Sequence, residues 1–318
     1  MKYVFSAFLL LALVSCSKKS KIEKEISSID FPVTWERFDQ DFVLTPENDF
    51  SQLRTKYPYL LPANVEDSVW IHKRKDSLFQ VISKEVQAQF SDLTSIQKDV
   101  NEVLKRIHFY FPNHNPNKVI TLLSDVDVDN RVIYTDSLVL IGLDNYLGKD
   151  HRFYTVFPEY ALQDFEKQRI AVDIAQNFAL QVVPPTQERS FLAQMIYLGK
   201  LMEVIHHIMP DADESLILNY APEKYRWAVE NEVEIWKYFI NHKYLYDTDP
   251  KLAARFLQKA PFSKFYLEFD SESPGSIGIF IGWHIVQSYL KNNNVTLQEL
   301  LIKDTKEIFD NAKYKPKK

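Results

Sequence analysis

A single cysteine, Cys16, is all the thiol this 318-residue chain carries, so no disulfide can form within it. Glycine is scarce as well. None of the 6 glycines stands in a phosphate-cradling loop or a Gly-x-Ser-x-Gly elbow, which sets aside the readings that rest on those motifs. Among the 8 histidines none has another four residues away, so the H-E-x-x-H helix of zinc peptidases is missing. His206 and His207 are adjacent and face different ways on a helix. A basic excess is missing too: the formal net charge of -5 leaves no electrostatic footprint for nucleic acid. Internal repeats and low-complexity stretches are absent.

What remains is a globular balance of 46% hydrophobic and 25% charged residues. Aromatics at 14% beside so few glycines predict a large, aromatic-rich, mostly helical core. The lone cysteine closes the segment MKYVFSAFLLLALVSC. Lys2 supplies a positive start, and Val4 to Leu13 form an apolar run too short to span a bilayer. Leu13-Val14-Ser15-Cys16 has the form of a bacterial lipobox, which is cut before the cysteine so that the thiol can be acylated. An ordinary signal peptide with a chance cysteine is the alternative. Cleavage removes residues 1–15 and with them Lys2, taking the formal charge to -6. The expected product is an exported protein held on the membrane by lipid on Cys16. Ser17 rather than aspartate favours the outer membrane. The basic run Ser17-Lys18-Lys19-Ser20-Lys21 favours its periplasmic side.

Residues 16–28 read as a polar, charged tether, and 29–318 as one domain without an internal linker. Phe31 to Phe38 alternates in part and predicts an edge strand with Pro32 at its start. Ile96, Val100, Val103, Leu104 and Ile107 recur at helical spacing and predict a helix over 91–107. Three short apolar runs, 118–123, 131–134 and 137–143, predict strands, and helical patterns dominate from Pro158 on. Strands early and helices late predict an α+β fold, mostly helical, with a small sheet in the N-terminal half.

Four stretches invite a chemical reading. Val172-Asp173-Ile174-Ala175-Gln176 has the length of the zinc-peptidase helix, but Val172 and Gln176 stand where imidazoles would ligate. Asp173 keeps a carboxylate where that motif has its base. An ordinary buried helix is the competing reading. Asp125, Asp127, Asp129 and Asp136 match calcium-loop positions, yet the turn glycine and the bidentate glutamate are missing, which favours a solvated loop. Glu230 and Glu234 lie one turn apart and are expected on a solvated helix face. In Ser273 to His284, Ser273 is expected to cap a helix with Pro274 in its first turn. Gly278 and Gly282 there predict a close backbone approach, Ile277, Ile281, Ile285 and Tyr289 a buried stripe, and His284 a satisfied histidine.

An ordered set of segments then resembles the GldB family of Bacteroidetes gliding-motility lipoproteins. It runs through Phe31 to Asp39, Leu143 to Gly148, Phe157 to Tyr160, Tyr197 to Lys200, Asn231-Glu232 with Ile235-Trp236, and Ala260 to Lys264. It ends with Ser273 to Gly275, Ile281 to Trp283 and Tyr314 to Pro316. That family is similar in layout to zinc-dependent peptidases. The comparison implies a zincin-like body with its metal ligands lost: Val172, Asp173 and Gln176 fall at the motif helix, and Leu198, beside Gly199, at a third ligand.

The resemblance implies a cell-envelope lipoprotein that supports gliding motility and its associated secretion machinery. It would act by binding other envelope proteins, without metal, cofactor or catalysis. Two alternatives stay open. One is a metal-dependent hydrolase with atypical ligands such as Asp173 and distant histidines. The other is a solute- or peptidoglycan-binding lipoprotein of the periplasm.

Overall fold

The computed structural model describes residues 21–316. The signal segment and Cys16 lie outside the described residues. The four expected strands form: β1 (Thr34–Arg37), β2 (Lys118–Leu122), β3 (Val132–Tyr134) and β4 (Val139–Gly142). They make one sheet in the order β1-β2-β4-β3, with β1, β2 and β4 parallel and β3 antiparallel to β4. β1 is an edge strand, where a neighbouring proline costs no ladder bond.

Six helices stand before or between β1 and β2: α1 (Lys21–Ser27), α2 (Phe38–Leu44), α3 (Phe50–Lys56), α4 (Asp67–Lys75), α5 (Ser77–Gln89) and α6 (Thr94–Tyr110). Behind the sheet come α7 (Arg169–Val182), α8 (Phe191–Ile208), α9 (Glu214–Leu218), α10 (Pro222–Glu230), α11 (Glu232–Asn241) and α12 (Pro250–Phe256). The chain closes with α13 (Ile277–Asn292), α14 (Leu297–Ile302) and α15 (Thr305–Ala312). The fold is α+β, mostly helical, with its small sheet in the N-terminal half.

Side chains alternate across a strand, so one sheet feeds two cores. Val119, Val139 and Ile141 enter the large core with α6, α7 and α8. Ile120, with Leu140 packed at its border, joins a smaller core of Phe42, Phe50, Tyr57 and Phe79 on the other face. The acidic run after β2 is a loop. Asp144, fully buried, shapes it by accepting from the Ser124 and Val126 amides at 2.9 and 2.6 Å.

The tightest contact is between α8 and α13. A Cβ on Gly282 would overlap the Met195 carbonyl, and one on Gly199 would overlap the Gly282 backbone. The crossing therefore requires both glycines, each at a helix-propensity cost of about 1 kcal/mol against alanine. Ile277, Ile281, Ile285 and Tyr289 are buried beside it as the spacing predicts.

Two expectations need correction. Composition places Lys21 to Ser27 in the tether, but it is helical as α1: Ile26 is buried, and Glu23 accepts both terminal nitrogens of Arg106 at 2.7 and 2.9 Å. Two isoleucines among charges, Ile22 exposed and Ile26 buried, are too few for periodicity to register, yet the buried one suffices with a buried arginine waiting on α6. The second concerns α13, which starts at Ile277 rather than after Ser273. Its Ile277 amide donates to the Ser263 hydroxyl at 3.1 Å, a cap from a distant loop. Ser273 instead accepts from the Ser263 amide at 3.0 Å and donates to the Asp270 carbonyl at 2.7 Å.

Candidate functional site

A cavity of about 480 Å³ opens between the loop before β3, α7, the turn after α9, and the start of α13. α7 is amphipathic, and its two sides explain the site. Ile170, Val172, Ile174 and Phe178 are buried in the large core, while Asp173, Gln176, Asn177 and Leu180 line the cavity. Two of the positions singled out on this helix thus face the hollow, and Val172 does not: it is fully buried. Leu198 is half-buried on α8 and outside the cavity lining, so it is not brought together with them; α8 contributes Met202, one turn on.

Asp173 is held from three sides. Arg169, one turn back, donates to it at 2.8 Å, the Tyr146 hydroxyl donates at 2.9 Å, and an Arg131 nitrogen lies 3.9 Å away. Burial, reinforced by the Asp173 charge, pushes the Tyr146 hydroxyl well above its ordinary value, so it stays a donor. Arg169 also donates to the Leu216 carbonyl at 2.5 Å.

A second carboxylate, Asp164, forms the opposite node. It pairs with Lys259 and with Arg131 at 3.4 Å, and accepts from the Asn219 amide, itself left-handed at φ 56°. Burial alone would raise Asp164, but Lys259, Arg131 and Arg169 outweigh it and lower its pKa. Buried Asp173 and half-buried Asp164 thus meet three cations, while Asp129 stands exposed at the rim. This arrangement can hold a polar or acidic segment. Asp164 and Asp173 are both spent on cations and hydrogen-bond donors, so neither stands as an unpaired base.

The rim is built from segments already picked out in the sequence. Tyr160, Ala260 and Gly275 line the cavity, and Tyr146 backs Asp173. A Cβ on Gly275 would strike the Ala260 carbonyl, and Ser263 ties the same two segments to α13. Segments far apart in sequence therefore converge on one hollow. The sequence model of a family described as gliding motility protein GldB matches residues 19–316. The chain belongs to the GldB family. No curated protein and no solved structure matches it. Membership in GldB makes it a gliding-motility lipoprotein of the cell envelope. No helix among the described residues is long and apolar enough to cross a membrane.

Other singled-out residues lie elsewhere. Glu230 and Glu234 are exposed as expected, but Glu232 between them is buried. It accepts from the Tyr314 hydroxyl at 2.7 Å and meets His284 Nδ1 at 2.8 Å. His284 Nε2 is 4.0 Å from Glu214, so the histidine is satisfied by two carboxylates. Among the described residues no group of three or more His, Cys, Asp and Glu side chains is placed to hold a metal ion. Arg131, Asp164, Lys259 and Asn219 escaped the sequence reading, because their partners stand 33 to 95 positions away. Only the Arg169–Asp173 pair, four residues apart, left a local signal.

Proposed function

We propose that this lipoprotein supports gliding motility by holding a segment of another envelope protein in the α7 cavity, without catalysis. The observation that carries this reading is the pairing of Asp173. Its carboxylate, at the position that the spacing alone would compare with a zinc peptidase's base, is spent on Arg169 and Tyr146. On this reading Val172, Asp173, Gln176 and Leu198 mark positions where a zincin-like ancestor lost its ligands. The gliding-associated secretion machinery supplies the partner. Lipid on Cys16 holds the protein on the outer membrane, facing the periplasm.

A photo-crosslinking residue at Asn177, on the cavity wall, tests the binding role in intact cells. The expected outcome is one dominant adduct with an envelope protein, absent when the probe stands at exposed Glu234. No adduct at Asn177, or the same adducts from both positions, overturns the reading. Stoichiometric zinc in the purified chain, or peptidase activity lost on Asp173→Asn, would favour a hydrolase instead. For the anchor, Cys16→Ser is expected to move the protein out of the membrane fraction. Unchanged sedimentation with membranes would count against lipidation as the sole tether.

A further inference from the structure

A second hollow shares no lining residue with the α7 cavity. It lies at the carboxyl ends of β1 and β2, where Phe38 and Leu122–Leu123 leave the sheet, the end at which open parallel sheets seat ligands. A pit of about 160 Å³ adjoins a groove of about 400 Å³, and the two share Lys73 and Phe79. α4, which buries none of its own residues, contributes Trp70 and Lys73 to the wall.

The walls are aromatic and aliphatic. Phe38, Leu60, Trp70 and Leu123 converge there while only half-buried, and Leu78 stands exposed on the groove. Partly wetted apolar side chains gain about 25 cal/mol for each Å² an apolar guest covers. Polar groups in the wall are few and mostly spent. Asp39 pairs with Arg37 at 2.6 Å and accepts from Thr121, and Asp76 caps α5 by accepting from the Phe79 amide at 2.9 Å. Two groups differ. The buried indole N–H of Trp70 has no acceptor among the described residues. The Lys73 ammonium lies 5.3 Å from the Phe79 ring centre and pairs with Asp125, on an exposed loop. That loop is strained: Asp125 and Val126 are left-handed at φ 59° and 60°, costly for a β-branched residue, and Val126 also lines the groove.

We propose that this hollow binds one acyl chain by its tail, with the carboxyl end at Lys73. A peptide is a poorer guest, since each residue brings an N–H and a C=O that these walls cannot satisfy. An acyl chain brings its oxygens only at the head, where Lys73 exchanges Asp125 for them and Trp70 gains an acceptor. The occupant is therefore a free fatty acid, because acyl chains linked as esters or amides in lipids and lipid anchors carry no carboxylate to replace Asp125 at Lys73.

A diazirine-bearing fatty acid, added to the acylated chain in phosphatidylcholine vesicles, tests this. Expected is labelling confined to residues such as Trp70, Phe79 and Leu123, competed by decanoate. Lys73→Met is expected to reduce it about tenfold and Trp70→Phe severalfold, both with unchanged unfolding midpoints. If the acylated chain resists labelling while the Cys16→Ser chain is labelled there, the protein's own anchor already fills the hollow, and the free fatty acid is overturned as its guest. Labelling spread over the surface, or absent from both chains, overturns it. So does decanol competing as well as decanoate with Lys73→Met unaffected.

Discussion

Asp173 is buried between an arginine on its own helix and a tyrosine hydroxyl from the far side of the core, so its carboxylate answers for two other groups. Asp173→Ala leaves the Arg169 charge in a buried wall with the Leu216 carbonyl as its hydrogen-bond acceptor and no carboxylate on it, and breaking such a pair from one side costs about 3–5 kcal/mol. Urea unfolding is expected to show a loss of that order, and Asp173→Asn a smaller one. A loss under about 1 kcal/mol for the alanine variant would remove the pair from the structural account. His284 gives a pH dependence. Burial alone would lower its pKa, but Glu214 and Glu232 outweigh burial and raise it above 6.5. The His284 imidazolium in turn holds the Glu214 carboxyl down to about 2. A raised histidine contributes stability that is whole below the unfolded value and is lost as pH rises through the folded one. A depressed glutamate contributes in full above its unfolded value and loses that contribution as pH falls from there to about 2. Melting temperatures are therefore expected to fall as pH rises past the folded His284 value, and His284→Gln to flatten that slope. A slope unchanged in the variant would assign the effect to another group.

At the scale of elements, the glycines of α8 and α13 set the packing. Alanine at position 282 raises intrinsic helix propensity by about 1 kcal/mol, yet its methyl meets the Met195 carbonyl. Gly282→Ala is expected to destabilise by about 1–3 kcal/mol, the range for overpacking. A stabilised variant would show the crossing looser than described. The sequence made half of this crossing legible: Gly282 stood out with Gly278 one turn before it, but Gly278 meets Leu257 and the Phe256 carbonyl instead, and Gly199, the partner on α8, carried no local pattern. The strands and α6 were legible, since a local period of two or of three to four survives without partners. The start of α13 was not, because its cap, Ser263, comes from 14 residues upstream and no local pattern carries it. The cavity was half legible. Spacing picked out Asp173 and Gln176 on α7, but Arg131, Asp164 and Lys259 reach the site through tertiary folding alone.

Across the whole molecule one small sheet divides two unequal cores, and α1 is fastened to the larger half through Arg106 on α6. Removing residues up to 28 therefore does more than shorten a tether. Against a chain beginning at residue 21 it is expected to lower stability by about 2–4 kcal/mol, from Ile26 burial and the two hydrogen bonds to Glu23 that Arg106 loses while Glu102 still accepts from its Nε. Equal unfolding midpoints for the two chains would restore the tether reading. The same helix fixes how far the body can stand from its lipid. Once Cys16 carries the proposed acyl chains, five residue steps separate it from Lys21, a span of at most about 18 Å even when fully extended. A free tether to Ser28 would allow about 43 Å. So anchored, the protein would be held on a short leash close above the headgroups, and a partner anchored elsewhere in the envelope would have to come down to it.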